Sequence, residues 1–336
     1  MGVKAQRGKR PVIGSIVAII VAGFAVVVIA HLTGANAIGR AFDDIDPGWI
    51  GLVAGAELLT YPAYMLAYRS IAGMHGHTPL SLPIVARLVV AGFGPFALGG
   101  GFGIDKQALE VLDEDKRSAR VRVLALGTLE WAVLAPATCV VAIVFLARGT
   151  RIMPSLLWPW AVAVPLGFAA AFWVSAGSRA ERLAHIGGRR YDWVAQGLEG
   201  VGVLHTLVRE PRTYLPAWFG TVAYWTADII AFYGALRTFG LALGAGKVIL
   251  AYATGYAATR RSLPLGGAGI TEALMTYALY WVGAPLAPAL ASVLAYRCFN
   301  FLLVAAPAVV AQHQLGSILN RLQATRHLRP GGRSSR

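Results

Sequence analysis

The strongest constraint on this sequence is the number and length of its apolar runs. A helix needs about 20 mostly apolar residues to cross the hydrocarbon core of a membrane. Stretches that meet or approach that length recur at 12–32, 48–68, 123–147, 155–176, 213–236, 243–260, about 268–282 and 286–311. In lipid every backbone polar group must be satisfied within its own segment or by closed pairing, and runs this long do so as helices. The expected fold is therefore all-α, a polytopic transmembrane helix bundle of about eight spans. Of the 336 residues, 57% are apolar and only 14% charged. A soluble domain is about one quarter charged, so an ordinary globular enzyme is excluded.

One further apolar stretch, 82–104, is interrupted by Gly92, Gly94, Pro95 and the run Gly99-Gly100-Gly101, followed by Gly103. It reads as a re-entrant or discontinuous helix. The alternative is that it crosses fully and one of the shorter late segments does not.

The net charge of +14 is sorted by loop. The two ends and the loops 69–81, 105–122, 177–212 and 260–263 alternate to one side and hold 23 of the 30 Lys and Arg. Basic residues accumulate on the cytoplasmic side, so both termini are expected in the cytoplasm of a multi-pass cell-membrane protein. The charge thus signals orientation and attraction to anionic lipid, with no nucleic-acid partner implied. The basic start followed by 12–32 resembles a signal peptide, but the apolar part exceeds a signal h-region, so a retained first span is expected. The expected domains are a basic cytoplasmic stretch at 1–11, one integral membrane domain at 12–315, and a partly disordered cytoplasmic tail at 316–336. In the long loop 177–212, Val194, Leu198, Val201, Leu204 and Val208 recur at helical spacing. They predict a helix over about 191–209, lying on the inner membrane surface or capping the bundle.

Two distant places share a pattern. Gly100-Gly101-Phe102-Gly103-Ile104 follows Pro95, and Gly266-Gly267-Ala268-Gly269-Ile270 follows Pro264. A charged residue comes about thirty residues later in each, Glu130 and Arg297. The chain therefore reads as two repeats, about 48–176 and 213–312, each with a Gly/Pro-broken helix. Such paired breaks at corresponding positions mark substrate sites in repeat-built transporters. Glycines let backbone approach a ligand, and the helix restarting after each break turns free N–H groups toward an anion. The competing reading is close helix packing, as expected for Gly51 and Gly55.

The segment from Pro264 through Gly266, Gly267, Gly269 and Glu272, with Tyr296-Arg297 and Pro307, resembles the second half of the lysylphosphatidylglycerol synthase transmembrane region, the flippase-like family. Arg69 and the stretch from Pro95 to Lys106 are similar to its first half, so the resemblance covers most of residues 10–315. Trp131 follows Glu130 where the family pattern has Arg, which leaves the first-half charged site open. The resemblance implies a multi-pass bundle that handles lipid, in some members moving an aminoacylated phospholipid between leaflets. No aminoacyl-transferase domain follows the membrane region here, so the chain is not expected to make lysylphosphatidylglycerol itself.

Charged residues at membrane depth are expensive and default to functional roles. Glu57, Glu130, Asp228 and Glu272 are the four acids within the expected spans or breaks. Glu272 lies one turn after Gly269, beside the expected anion site. Arg260 and Arg261, just before Pro264, suit either a lipid phosphate or an inner-face anchor. Arg297 sits within the last span, where it pairs with Glu130 or Glu272 or binds phosphate. Asp228 and Glu57 serve either as proton acceptors or in interhelical hydrogen bonds. No CxxC, HExxH or GxxxxGK[ST] motif occurs, so no metal, cofactor or ATP site is expected.

The leading expectation is a translocator of an anionic lipid or lipid-linked substrate, a phospholipid or a polyprenyl-linked lipid, working with a separate synthase or glycosyltransferase. The alternatives are an enzyme on a lipid-linked substrate, with Glu272 or Asp228 as general base, and an accessory subunit recruiting an envelope enzyme through 177–212.

Overall fold

The computed structural model describes residues 34–43, 45–74, 79–94, 101–112, 116–175, 205–256 and 267–328, with isolated positions near 24–31 and at 202–203. The basic start at 1–11, most of 12–32 and the extreme tail 329–336 lie outside the described residues.

All the regular structure among the described residues is helical. Helix α1 is Ala35–Asp43, and a 3-10 turn at Pro47–Trp49 leads into α2, Ile50–Ala72. Helices α3, Leu82–Phe93, and α4, Gly101–Leu112, flank the first glycine break. Helix α5 is Lys116–Ala147. Helix α6 runs from Pro154–Trp158 through a π-helical turn, Pro159–Ala163, into Val164–Ser175. Helices α7, Leu215–Thr238, α8, Ala245–Tyr256, α9, Ile270–Trp281, and α10, Leu286–Leu328, complete the chain.

Four segments, Pro47–Ala72, Ser118–Ala147, Pro154–Val174 and Leu286–Leu322, are long and apolar enough to cross a membrane. Their outward faces expose Leu58, Leu59, Val140, Ile143, Leu166, Trp173, Leu302 and Val310 at 48–72%. An apolar belt of that kind belongs in lipid rather than water. Helix α7 has 24 residues but carries Thr221, Asp228 and Arg237, and it buries thirteen residues against its neighbours.

The late segment expected to cross at about 268–282 is shorter than a span. Helix α9 has 12 residues between Gly269 and Val282, about 18 Å at 1.5 Å per residue, against a core of about 30 Å. Helix α3 has the same length, ending at the extended Gly94. Both are halves of hairpins. Pro79, just before α3, lies against Gly73 at the end of α2. Near the end of α4, Glu110 sits 3.8 Å from Arg120, whose neighbour Arg122 bonds the Ala72 carbonyl. So the α3–α4 hairpin enters and leaves at the end of the bundle where α2 finishes. The α8–α9 hairpin enters and leaves at the opposite end: Gly246 abuts Phe145 near the end of α5, and Gly283 lies beside Lys247.

The two halves mirror each other in order, long–short–short–long: α2, α3, α4, α5 against α7, α8, α9, α10. Their contacts mirror too. Helix α3 packs on α10 as α8 packs on α5, and α4 packs on α5 as α9 packs on α10. The equivalent helices α2 and α7 form the central seam and run antiparallel, with Gly220 against Ala63 and Ala67 and Gly234 against Val53. An operation that superposes antiparallel helices is a two-fold axis across the bundle, the relation of inverted-topology repeats. Helix α6 falls between the halves without a counterpart among the described residues.

Close packing at the seam is carried by Gly220, where a Cβ would lie 2.6 Å from the Ala63 oxygen and the Ala67 nitrogen. Gly51 and Gly55, expected in that role, face open space. Helix α10 continues through the expected tail, 316–328, because Leu315 and Leu319, one turn apart, give it an apolar stripe on the core. In the long loop, 205–209 is helical and buries Leu207, while Val208, expected on the inward face, is 50% exposed. Trp218 Nε1 donates to the Leu207 carbonyl at 3.3 Å, tying this segment to the bundle.

Candidate functional site

The second break ends in two glycines whose backbone demands them, Gly267 at φ 70° and Gly269 at φ 85°. Side chains with a Cβ are strained there. Gly269 caps α9, and its N–H donates to the carboxylate of Glu272, three residues on, as in one arm of a capping box. The other Glu272 oxygen accepts from Arg297 Nε at 2.6 Å. The two side chains are only 5% and 7% exposed, with Arg297 the 5% partner. The Arg297 guanidinium carbon lies 4.3 Å from the Phe301 ring centre, and Nη1 reaches the Tyr256 hydroxyl at 3.2 Å.

From Tyr256 the hydrogen bonds continue across the bundle. Its hydroxyl is 3.0 Å from that of Tyr296, which donates to Asp228 Oδ1 at 2.6 Å. Tyr252 donates to Asp228 Oδ2. One turn along α10 from Arg297, Asn300 Nδ2 donates to Glu57 Oε1 at 3.0 Å. Every one of these side chains is buried. Asp228 lies about 20 Å from the start of α7 and about 15 Å from its end at 1.5 Å per residue, at mid-depth.

The first half builds a different centre. Tyr64 donates to Glu130 Oε1 at 2.6 Å, and Trp225 Nε1 donates to the Glu130 carbonyl at 3.0 Å. Tyr64 also meets Phe93 and Tyr224 edge-on, each at 5.0 Å between ring centres. Of the two partners expected for Arg297, Glu272 is the one bonded to it, while Glu130 is held by Tyr64 and Trp225. Gly101 and Gly103 lie in the first turn described for α4, and a Cβ on Gly103 would meet nothing within 4 Å. Gly100, Gly266, Pro264, Arg260 and Arg261 lie outside the described residues.

The structure adds residues that the sequence reading passed over. Tyr252, Tyr256 and Tyr296 carry the link between Arg297 and Asp228, and Asn300 joins Glu57 to α10. Asp105 is fully buried, and Arg122, 3% exposed, donates to the Ala72 carbonyl at 2.6 Å. Both had been counted with a basic loop. Asp105 directly follows Gly-Ile, much as Thr271-Glu272 follows Gly-Ile in the second half, and that correspondence was the available signal.

Cavities open at both ends. One of about 470 Å3 lies between the end of α2 and the start of α7, with Arg69, Ser70, Thr213 and Tyr214 among its lining. The other, about 400 Å3, lies between the end of α5 and the start of α8, with Arg148 and Lys247. Helix α7 runs from the first to the second, so they sit on opposite faces.

Long apolar helices, two inverted re-entrant hairpins and a buried polar centre at mid-depth define a polytopic helical membrane protein. The chain belongs to the family described as the lysylphosphatidylglycerol synthase TM region, which it matches over residues 15–308. No curated protein matches it. The family ties it to lipid: it is a lipid-related integral membrane protein.

Proposed function

We propose that the protein binds an anionic lipid or lipid-linked substrate and moves its headgroup between leaflets, with Arg297 as the phosphate ligand. The observation that carries this reading is the buried Glu272–Arg297 pair at the tip of a re-entrant hairpin. Non-helical backbone at that depth is tolerated only where protein or water surrounds it, and Arg offers the bidentate geometry that a phosphate takes. Arg297 is preorganised by Glu272, Tyr256 and Phe301. An arriving phosphate competes with Glu272 for the guanidinium, and the nearby carboxyls of Asp228 and Glu57 accept hydroxyl or amine groups of the headgroup. Cations at both end cavities, Arg69 on one side and Arg148 with Lys247 on the other, supply a landing place in each leaflet.

In this reading the α2 finish and the α10 end face the cytoplasm of the cell membrane, following the basic loops. Gly267 and Gly269 shape the site, and Arg260, Arg261 and Pro264 lie in the stretch between its two flanks. Movement is passive or ion-coupled, and the protein acts as a translocator beside a separate synthase or glycosyltransferase. The test is reconstitution in liposomes carrying fluorescent phospholipids or polyprenyl phosphates, with leaflet exchange read by quenching from outside. Exchange of at least one of these lipids, weakened in Arg297 variants that fold, is expected. Protein that binds lipid but exchanges none would refute translocation.

A further inference from the structure

Three features characterise the cavity at the Lys247 end. Its lining contains two cations, Arg148 and Lys247, and no acid. One wall is the outward face of α5, where Val140 is 61% and Val144 38% exposed within a segment apolar enough to lie in lipid. Its floor is made by close approach: a Cβ on Gly246 would fall 2.8 Å from the Phe145 ring, so a larger residue there requires that ring to move. The volume of about 400 Å3 falls within the range of sites for small ligands.

At the pseudo-equivalent place the described residues close up. There α3 meets α10 closely, with Arg87 Nε on Gln314 Oε1 at 2.8 Å and Gln312 Nε2 on the Ala91 carbonyl at 3.4 Å. A Cβ on Gly94 would lie 2.4 Å from that of Ala308. The opening between α5 and α8 is therefore no automatic result of the repeat.

We propose that this cavity holds one anionic phospholipid, its phosphate between Arg148 and Lys247 and an acyl chain along Val140 and Val144. Two cations at a helix end select a negative headgroup. The apolar wall leading from them into the membrane is of no use to a free anion but fits a chain covalently joined to that headgroup. The inference rests on the lipid reading above but not on translocation or on Arg297.

The test uses the full chain in nanodiscs of equal phosphatidylglycerol and phosphatidylcholine, with retained lipids counted by native mass spectrometry. Wild type is expected to retain phosphatidylglycerol preferentially, and R148Q/K247Q to lower that preference about tenfold, equivalent to about 1.4 kcal/mol. The single variants R148Q and K247Q are expected to fall between, and their thermal unfolding guards against a folding defect. Excess inorganic phosphate is expected to leave wild-type retention unchanged. An unchanged preference in R148Q/K247Q overturns the proposal, and displacement by inorganic phosphate overturns the lipid as its occupant. Because retention is read without leaflet exchange, a protein that retains the lipid here but exchanges none fails only the translocation reading. One that exchanges lipid with this preference absent fails only this inference.

Discussion

Replacing Arg297 by Gln isolates the central claim about the site. The pair it breaks is 2.6 Å long between side chains 5% and 7% exposed. Two unit charges with centres about 4 Å apart attract by about 4 kcal/mol at an effective dielectric constant of about 20. Removing one partner of a buried pair costs about 3–5 kcal/mol, because the other charge stays buried without it. At about 2–4 °C per kcal/mol for a chain of this order of size, the melting temperature of R297Q falls on the order of 10 °C. The double variant E272Q/R297Q removes both charges and keeps an acceptor for the Gly269 N–H, so it recovers most of that loss. Thermal unfolding in detergent of the wild type, both single variants and the double variant gives the coupling energy directly. A loss under about 1 kcal/mol for R297Q, or a double variant no better than the sum of the singles, would refute the buried-pair reasoning. The folded double variant then separates stability from function, since it has no guanidinium to offer a phosphate. Lipid exchange at the wild-type rate by that protein would remove Arg297 as headgroup ligand.

Gly220→Ala places a methyl 2.6 Å from two backbone atoms of α2 and is expected to destabilise by about 1–3 kcal/mol, whereas Gly51→Ala, facing open space, stays within about 1 kcal/mol of wild type; equal melting temperatures for the two would contradict the seam. Single cysteines at Ala245 and Gly283 are expected to react with an impermeant maleimide from one side of the membrane, and cysteines at Ser81 and Thr213 from the other. Labelling of 245 and 283 from opposite sides would mean that α8 and α9 together cross once rather than turn back.

The charged centre was legible because the bilayer makes charge costly. Glu57, Glu130, Asp228, Glu272 and Arg297 stood out in apolar runs, and all five are buried at 8% exposure or less. The tyrosines were not legible, since a Tyr in a span usually marks the interface and carries no penalty that singles it out. Their spacing held a trace of the answer: Tyr252 and Tyr256 are one turn apart on the face of α8 that reaches Asp228 and Arg297. The two halves of the α8–α9 hairpin read as separate spans because each has the composition of one. What distinguishes a returning helix is the positive φ of Gly267 and Gly269 and the packing of Gly246 on Phe145, which composition does not carry. The matched breaks did carry it. A repeat in which 82–104 turns back requires its counterpart to turn back as well.

On the translocation reading, the distribution of polar bonds says which bodies can move. The Glu272–Arg297 pair and the chain through Tyr256, Tyr296, Asp228 and Tyr252 lie wholly within the second half, on α7, α8, α9 and α10. The bonds seen between halves are of another kind: Asn300 to Glu57, Trp225 to the Glu130 carbonyl, Arg87 to Gln314 and Gln312 to the Ala91 carbonyl, none of them an ion pair. A neutral hydrogen bond contributes about 0.5–1.5 kcal/mol net and one with a charged partner, as at Glu57 and Arg87, about 1.5–3 kcal/mol, so each costs less to exchange than the about 3–5 kcal/mol of breaking a buried ion pair. The tight α2–α7 seam relates the halves through the pseudo-two-fold axis, and rotation displaces atoms least near its axis. A two-fold operation that swaps the halves turns the open α5–α8 junction into a closed one and the closed α3–α10 junction into an open one. The two packings in this one structure are thus models for both ends of a rocking motion, and the Arg297 centre travels through it within one body.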